Sequence, residues 1–186
     1  MPWESVSEAQ KPPPKPAKKK FSFLKPKKPQ IVVDKNELKN RLTPLQYKVT
    51  QEKHTERPFS GEFLKLKENG IYSCCVCGQE IFSSNCKYDS GCGWPVFNDI
   101  IDRNRVNSAP DLSHVGGNLL LLALKPDLVR TEVSCAKCGS HLGHVFDDGP
   151  KPTGLRYCVN SAALKFNKIQ PATTTTTTAT TPISSK

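Results

Sequence analysis

Two Cys-x-x-Cys units constrain the fold of this 186-residue sequence more than any other feature. They are Cys74-x-x-Cys77 and Cys135-x-x-Cys138, and each is followed by a glycine that permits a tight backbone turn. Four thiolates suit tetrahedral zinc and leave no open coordination position. Two disulfides are the alternative, but we expect a reducing compartment because the sequence has no apolar secretion signal. The sequence therefore predicts one structural zinc ion per chain.

The separation of the two units indicates a domain larger than a zinc ribbon. Residues 78–134, 57 in all, lie between them, whereas a common ribbon has about 15 to 20. From Gly61 onward, short apolar runs alternate with Gly, Pro, Asn and Asp, a pattern typical of short strands and turns. The runs are GIYSC, EIFSS, WPVF, NLLLLAL, LVRTEVSC, HVFDDG, RYCVN and AALKF. We expect the metal to join two ends of a mainly β domain.

Two short helices are predicted before the first strand. DKNELKNRL has helical spacing of its apolar residues. TPLQYKVTQ begins with Thr43 as N-cap, Pro44 at the first helical position and Gln46 three residues after Thr43, which is a capping-box pattern.

The positive charge of the sequence is concentrated at the N-terminus. The formal net charge is +10, of which residues 1–35 contribute +6. This arm is rich in Lys and Pro, and we expect it to be disordered, like the Thr-rich tail 171–186. Residues 36–170 form the predicted domain. No run approaches the roughly 18 apolar residues of a membrane span, so we expect a cytoplasmic protein, with KKKFSFLKPKK leaving a nuclear location as the alternative.

Cys158 lies in the run LRYCVNSAALKF, where strand periodicity places Arg156, Cys158 and Asn160 on one face. A guanidinium nearby lowers the pKa of a thiol, and an amide donates to a developing oxyanion. Cys158 is therefore a candidate nucleophile. The alternative is a buried strand cysteine without a chemical role.

Cys92 is the candidate for a second reactive thiol. It lies in KYDSGCGWPVF between two glycines, which predicts an exposed and flexible backbone. Cys86 lies in the same region, and the residues alone do not rank the two. Cys75 is adjacent to a predicted zinc ligand and is expected to point away from it.

His141 and His144 follow the second Cys-x-x-Cys unit directly, in GSHLGHVFDDG, so the metal is expected to hold them rigidly. We interpret them as proton donors because four thiolates already complete the zinc site. Loop residues or ligands of a second metal are the alternatives. Asp148 is a candidate for orienting an imidazole, although two aspartates before a glycine are also typical of a turn.

Together these motifs resemble those of the B-type methionine sulfoxide reductases, which act on peptide methionine-R-sulfoxide. The similarity extends from Leu42 to Phe166 and includes LTPLQYKVTQEKHTERPFSGEF, both Cys-x-x-Cys units, DSGCGWPVF, HLGHVFDDG and GLRYCVNSAALKF. It implies two antiparallel sheets in a zinc-stapled arrangement called a β-tent, with N-terminal helices and with the zinc remote from the active site. His54 stands where the family usually has glycine.

The resemblance also implies the role of each candidate residue. Cys158 corresponds to the catalytic cysteine and Cys92 to the resolving cysteine. Trp94 corresponds to the wall of the pocket for the substrate methyl group, although a Trp before Pro is also compatible with simple core packing. The polar side of the pocket corresponds to His141, His144, Asp148, Arg156 and Asn160.

The implied chemistry begins with attack of Cys158 on the sulfoxide sulfur. The attack yields methionine and a cysteine sulfenic acid, which then condenses with Cys92. Thioredoxin restores both thiols. The resemblance implies that the protein is a monomer, repairs oxidised proteins and binds neither membranes nor nucleic acid.

Two alternatives belong to other functional classes. A zinc module that binds nucleic acid leaves Cys92, Cys158 and the two histidines unused, and the predicted domain has little excess positive charge. An inactive scaffold of the same fold, similar to the Rab-release factors, would lack the nucleophile that Cys158 provides here. Thiol-dependent reduction of a methionine-R-sulfoxide distinguishes both from an enzyme.

Overall fold

The computed structural model describes residues 28–113, 116 and 129–170. This part of the chain contains nine short strands and two α-helices, with short 3₁₀ turns between them. The helices are α1 (Lys35–Arg41) and α2 (Pro44–Glu52). The strands are β1 (Gly70–Cys74), β2 (Glu80–Ser83), β3 (Lys87–Tyr88), β4 (Val96–Phe97), β5 (Val106–Asp111), β6 (Arg130–Cys135), β7 (His141–Phe146), β8 (Arg156–Val159) and β9 (Leu164–Lys168).

The strands form two antiparallel sheets. The smaller has the order β2-β1-β9, and the larger has the order β3-β4-β8-β7-β6-β5. The predicted fold class, mainly β with two antiparallel sheets and short N-terminal helices, is confirmed. The predicted run NLLLLAL (118–124), residues 1–27 of the arm and the tail 171–186 lie outside the described residues.

Both predicted helices are present, and the capping box of α2 forms as expected. The side chain of Thr43 accepts from the Gln46 N–H at 3.2 Å, and the Gln46 side chain accepts from the Thr43 N–H at 3.0 Å. The helix ends at Glu52 and is capped by Lys53, whose φ of 56° is left-handed. The left-handed position is therefore residue 53, so His54 does not need the conformational freedom of glycine.

Aromatic side chains join the two sheets. Phe97 of β4 stacks on Phe82 of β2 with ring centroids 4.3 Å apart, and it meets Tyr72 of β1 edge-on at 5.0 Å. Tyr157 of β8 lies 5.9 Å from Phe82. Each such pair contributes about 0.5–1.5 kcal/mol beyond the apolar area it buries. The core therefore fixes how the small sheet lies against the strands that carry Cys158.

The large sheet has one buried face and one face that is partly open. Along β8, Tyr157 and Val159 are buried, whereas Arg156 and Cys158 are partly exposed. This alternation confirms that Arg156 and Cys158 share a face. Asn160 lies just beyond the end of β8 and is buried.

The segment before α1 already contacts the domain. The N–H groups of Gln30 and Ile31 both donate to the carbonyl of Lys137, at 2.9 and 3.0 Å. Contacts of the domain therefore begin before residue 36, although the predicted boundaries of the arm, domain and tail stay predictions. Among the described residues, no helix has the length and apolar character needed to cross a bilayer.

Candidate active site and metal centre

The four cysteines of the two Cys-x-x-Cys units meet at one place, where their sulfur atoms all lie within 4.8 Å of one another. Cys74 Sγ is 3.7 Å from Cys138 Sγ, and Cys77 Sγ is 3.5 Å from Cys135 Sγ. Zinc–sulfur bonds of about 2.3 Å in a tetrahedron place the sulfurs about 3.8 Å apart. The arrangement therefore fits a four-thiolate metal site.

The two units fold into turns of the same design. The Gly78 N–H donates to the Cys74 carbonyl at 2.9 Å, and the Gly139 N–H donates to the Cys135 carbonyl at 2.8 Å. Both glycines have the left-handed φ that the turn requires, 71° and 78°. Each unit thus presents its two thiols from a rigid turn, and the site joins the end of β1 to the end of β6.

Cys158 lies at the centre of the large sheet. In the register of the strands it is opposite His144 of β7 on one side and Val96 of β4 on the other. Opposite residues of antiparallel strands point to the same face, with Cβ atoms about 4.5–5.5 Å apart. Gly143 permits this close approach of β7 and β8, because a Cβ there would overlap the carbonyl oxygen of Cys158.

Cys92 is the thiol that the fold brings to Cys158, with their sulfur atoms 3.4 Å apart. Burial, and to a smaller extent the neighbouring Cys92, raises the pKa of Cys158 to about 12. Burial also raises the pKa of Cys92, but hydrogen bonds with Ser90, Trp94 and Cys158 outweigh that effect and lower it. In the free protein, Cys158 therefore keeps its proton at neutral pH.

Arg156 acts on the Cys158 thiol in the predicted direction, but not strongly enough to bring the pKa of the thiol below its ordinary value. The Arg156 charge does lower the pKa of Cys158, but the effect is smaller than that of burial. Its guanidinium is also paired with Asp148 through two bonds of 2.7 and 2.9 Å, and it stacks 4.2 Å from the Phe146 ring. Asp148 consequently holds the arginine rather than an imidazole.

Two carboxylates that the sequence did not indicate hold the histidines. His144 Nε2 lies 2.8 Å from Asp111 Oδ2, and His141 Nδ1 lies 2.8 Å from Glu132 Oε1. Because an ionised carboxylate only accepts hydrogen bonds, each bonded ring nitrogen carries the proton. The pKa of His144 is lowered by burial, against the opposing effect of Asp111, so its ring is neutral at pH 7.

A bulge in β7 explains how histidines three residues apart come together. The pairing of β6 with β7 shifts between Val133 and Ser134, so that Leu142 has no opposite residue. The two imidazole rings are 5.5 Å apart as a result. His141 Nε2 is buried and has no hydrogen-bond partner among the described residues.

Glu56 is a further organising residue that sequence reasoning missed. Its carboxylate accepts the N–H groups of residues 161 and 162 at 2.7 and 2.9 Å, and its carbonyl accepts the indole N–H of Trp94 at 3.1 Å. The amide of Asn160 also bonds to backbone, accepting from the Glu56 N–H and donating to the Leu142 carbonyl. Trp94 and Asn160 are therefore tied to one buried residue.

A surface cleft of about 580 Å³ opens beside the two thiols. Cys92, Asp148 and Arg156 contribute to its lining, together with Tyr88, Ser90, Gly149 and Pro150. Cys158, Trp94 and the two histidines are not among these lining residues. Cys92 is thus the sulfur that faces the cleft.

Comparison with known proteins shows the family of the chain. The SelR domain family matches residues 42–168. Methionine-R-sulfoxide reductase B1 of Drosophila melanogaster is 56% identical over 147 residues, which cover 79% of this chain and 71% of that protein. The protein belongs to the methionine-R-sulfoxide reductase B family.

Other members of the family show similar identity. Methionine-R-sulfoxide reductase B3, mitochondrial, of Mus musculus is 50% identical over 74% of this chain and 49% of its own length. The peptide methionine sulfoxide reductase MsrB of Hahella chejuensis is 51% identical over 70% of this chain and 86% of its own length. This methionine-R-sulfoxide reductase is accordingly an oxidoreductase.

Within this reductase, the structure separates the remaining cysteines from the thiol pair. Cys86 ends a short 3₁₀ helix and packs against the hydrophobic core, and burial raises its pKa. Cys75 is 1% exposed beside the metal ligand Cys74. The residues alone did not rank Cys86 against Cys92, whereas the family resemblance favoured Cys92, and the distance of 3.4 Å between the Cys92 and Cys158 sulfurs also favours Cys92.

Proposed function

We propose that this protein reduces methionine-R-sulfoxide in peptides and proteins to methionine, and so repairs oxidised proteins. In this proposal Cys158 attacks the substrate, Cys92 resolves the product and thioredoxin supplies the electrons. The observation that carries it is the pair of thiols 3.4 Å apart, with Cys158 on the strand next to the two histidines, one of which has a buried ring nitrogen without a partner among the described residues. An inactive scaffold or a nucleic-acid module does not require this arrangement.

In the first step Cys158 Sγ attacks the sulfoxide sulfur while the sulfoxide oxygen receives a proton. The thiol and the sulfoxide together give methionine and a sulfenic acid on Cys158, so the oxygen passes from substrate to enzyme. We assign proton donation to Nε2 of a protonated His141, whose charge Glu132 stabilises. His144, neutral with Nδ1 as its acceptor nitrogen, takes the proton of the thiol.

In the second step Cys92 attacks the sulfenic acid. A Cys92–Cys158 disulfide forms and water leaves. The two sulfurs are already 3.4 Å apart, so formation of the bond of about 2.05 Å needs a small local movement. Thioredoxin then reduces the disulfide by thiol–disulfide exchange. The position of Cys92 in the lining of the cleft supports attack of thioredoxin at that sulfur.

The other predicted residues shape the pocket in this proposal. Trp94, held by the Glu56 carbonyl, forms the wall for the substrate methyl group. Asn160 holds the adjacent turn through its two bonds to backbone. Arg156 and Asp148 form the polar wall of the cleft beside Cys92.

We propose zinc as the metal at the four cysteines. A set of four thiolates at tetrahedral spacing is typical of structural zinc and leaves no position for substrate. Three residues along β6 and two strands separate the site from Cys158, a distance on the order of 14 Å at ordinary strand spacing. The zinc therefore contributes stability and does not take part in the reaction.

The proposed pocket predicts selectivity between the two sulfoxide epimers. The sulfoxide sulfur is tetrahedral. A pocket with fixed positions for its methyl group and its oxygen therefore binds only one epimer productively. With a racemic peptide sulfoxide and thioredoxin, we expect the R epimer to be consumed and the S epimer to persist. Chiral chromatography of the remaining substrate measures this, and similar rates for both epimers would refute the assignment of Trp94 and the histidines.

A further inference from the structure

A chain of three side chains leads from the protein surface to His141. Lys53 Nζ lies 2.7 Å from Glu132 Oε2, and Glu132 Oε1 lies 2.8 Å from His141 Nδ1. We propose that Glu132 and Lys53 are positioning residues for the reaction, in which Glu132 orients His141 with Nε2 toward the substrate oxygen and Lys53 holds Glu132. This inference rests on the proposed function and adds two residues to its machinery.

The burial of these groups indicates that the contacts are specific. The side chains of His141 and Glu132 are 3% and 10% exposed, whereas that of Lys53 is 66% exposed. A buried carboxylate is strongly disfavoured unless it is paired and hydrogen-bonded. Each oxygen of Glu132 has one of these two partners. Lys53 thus supplies a positive charge from the surface to a carboxylate beneath it.

The backbone at Lys53 is consistent with a requirement for its side chain. Lys53 has a φ of 56° at the C-terminal end of α2, a position where glycine is normally favoured. Of the described residues other than glycine, Phe59 is the one besides Lys53 with a positive φ. A side chain is disfavoured in this conformation. The ion pair with Glu132 explains why a lysine occupies the position.

The hydrogen bond to Glu132 determines which nitrogen of His141 is free. Because the carboxylate accepts at Nδ1, the neutral ring has its proton there, and Nε2, which has no partner among the described residues, is the nitrogen that binds the second proton and donates it to the substrate oxygen. His144 is held at the opposite nitrogen, Nε2, by Asp111. The two rings therefore present different nitrogens to the site. The nearby charged groups are Lys53, Glu132, Asp111 and Arg130.

The test uses the full chain, loaded with metal, and the variants Glu132→Gln, Lys53→Met and Lys53→Arg. We expect Glu132→Gln to lower kcat about 10- to 100-fold, by analogy with the carboxylates that orient metal-ligating histidines. KM for a peptide sulfoxide should change far less, because the bond acts on proton transfer. Lys53→Met should lower kcat less than Glu132→Gln does. Lys53→Arg keeps the charge and should have a kcat close to that of the wild type. Glu68→Gln, which breaks the exposed pair of Glu68 with Lys168, is the matched control and should leave kcat unchanged.

A second readout reports on His141 independently of activity. Nitrogen NMR of the imidazole, recorded at a pH high enough to keep the ring neutral, should show one tautomer, with the proton on Nδ1, in the wild type and in Lys53→Arg. Glu132→Gln should show a mixture, and Lys53→Met should show the same change to a smaller extent.

The outcomes separate this inference from the proposed function. A folded Glu132→Gln protein with wild-type kcat and an unchanged tautomer would overturn it, and wild-type kcat in Lys53→Met would remove Lys53 from it. If Glu132→Gln fails to fold, the tautomer in Lys53→Met decides instead. If the wild-type protein does not reduce methionine-R-sulfoxide, the proposed function fails, whereas the tautomer measurement still judges the orientation of His141.

Discussion

Cys158→Ser should abolish reduction of methionine-R-sulfoxide even in a single turnover. A hydroxyl is a far poorer nucleophile than a thiol toward sulfur. Loss of the catalytic nucleophile lowers kcat by about 10⁶-fold in a serine protease, and we expect a loss on that scale here. The substituted oxygen keeps nearly the shape of the sulfur between His144 and Val96, so the fold should persist. Methionine released per enzyme, measured by chromatography after rapid mixing, checks the prediction.

Cys86→Ser is the matched control. Cys86 is also a partly buried cysteine of the same region, but it packs against the core and not against the Cys92 sulfur. The variant should keep its single turnover and its multiple turnovers with thioredoxin. Equal loss of activity in the two variants would show that the effect is one of folding, and unchanged activity in Cys158→Ser would remove Cys158 as the nucleophile.

Loss of the metal should unfold the domain. The site joins β1 to β6, and the apparent binding free energy of a structural zinc is about 10–16 kcal/mol. The free energy of unfolding of a domain is about 5–15 kcal/mol, so the binding free energy of the metal is as large as the net stability of the domain. Cys135→Ser, or a strong chelator, should therefore remove the cooperative thermal transition seen by circular dichroism, and elemental analysis of the wild type should give one zinc per chain.

Cys75→Ala provides the comparison for the metal site. Cys75 is as buried as the ligands Cys74 and Cys135, but its sulfur is not one of the four that lie within 4.8 Å of one another. The Cys75→Ala protein should lose about 1 kcal/mol of unfolding free energy, because the substitution leaves a small cavity, and it should keep the metal. A stable and active Cys135→Ser protein, or an active wild type without metal, would contradict the structural role.

Local features of the fold follow directly from the sequence. The capping box of α2 uses residues three apart, and the glycine turns of the Cys-x-x-Cys units use residues four apart, so neighbouring letters determine both. Cys92 and Cys158, the two thiols of the proposed redox pair, are 66 residues apart, and their contact depends on how β8 pairs with β4. Here the resemblance to a family, rather than periodicity, indicated the pair.

The carboxylates of the site could not be predicted in this way. Glu132 contacts His141 because of a bulge in β7, and no sequence pattern predicts one extra residue in a strand. Asp111 lies 33 residues before His144 and is brought to it by strand pairing. The sequence correctly predicted that Arg156 lowers the pKa of Cys158. It could not show how deeply the thiol is buried, and burial has the larger effect on that pKa.

The central claim is that Cys158 takes the oxygen of the substrate and Cys92 then removes it. Mixing the Cys92→Ser protein with a peptide methionine-R-sulfoxide, in the presence of dimedone, tests this most directly. We predict one equivalent of methionine per enzyme, a dimedone adduct mapped by mass spectrometry to Cys158, and no further turnover with thioredoxin. Full turnover with thioredoxin, or an adduct at any other cysteine, would contradict the proposed mechanism.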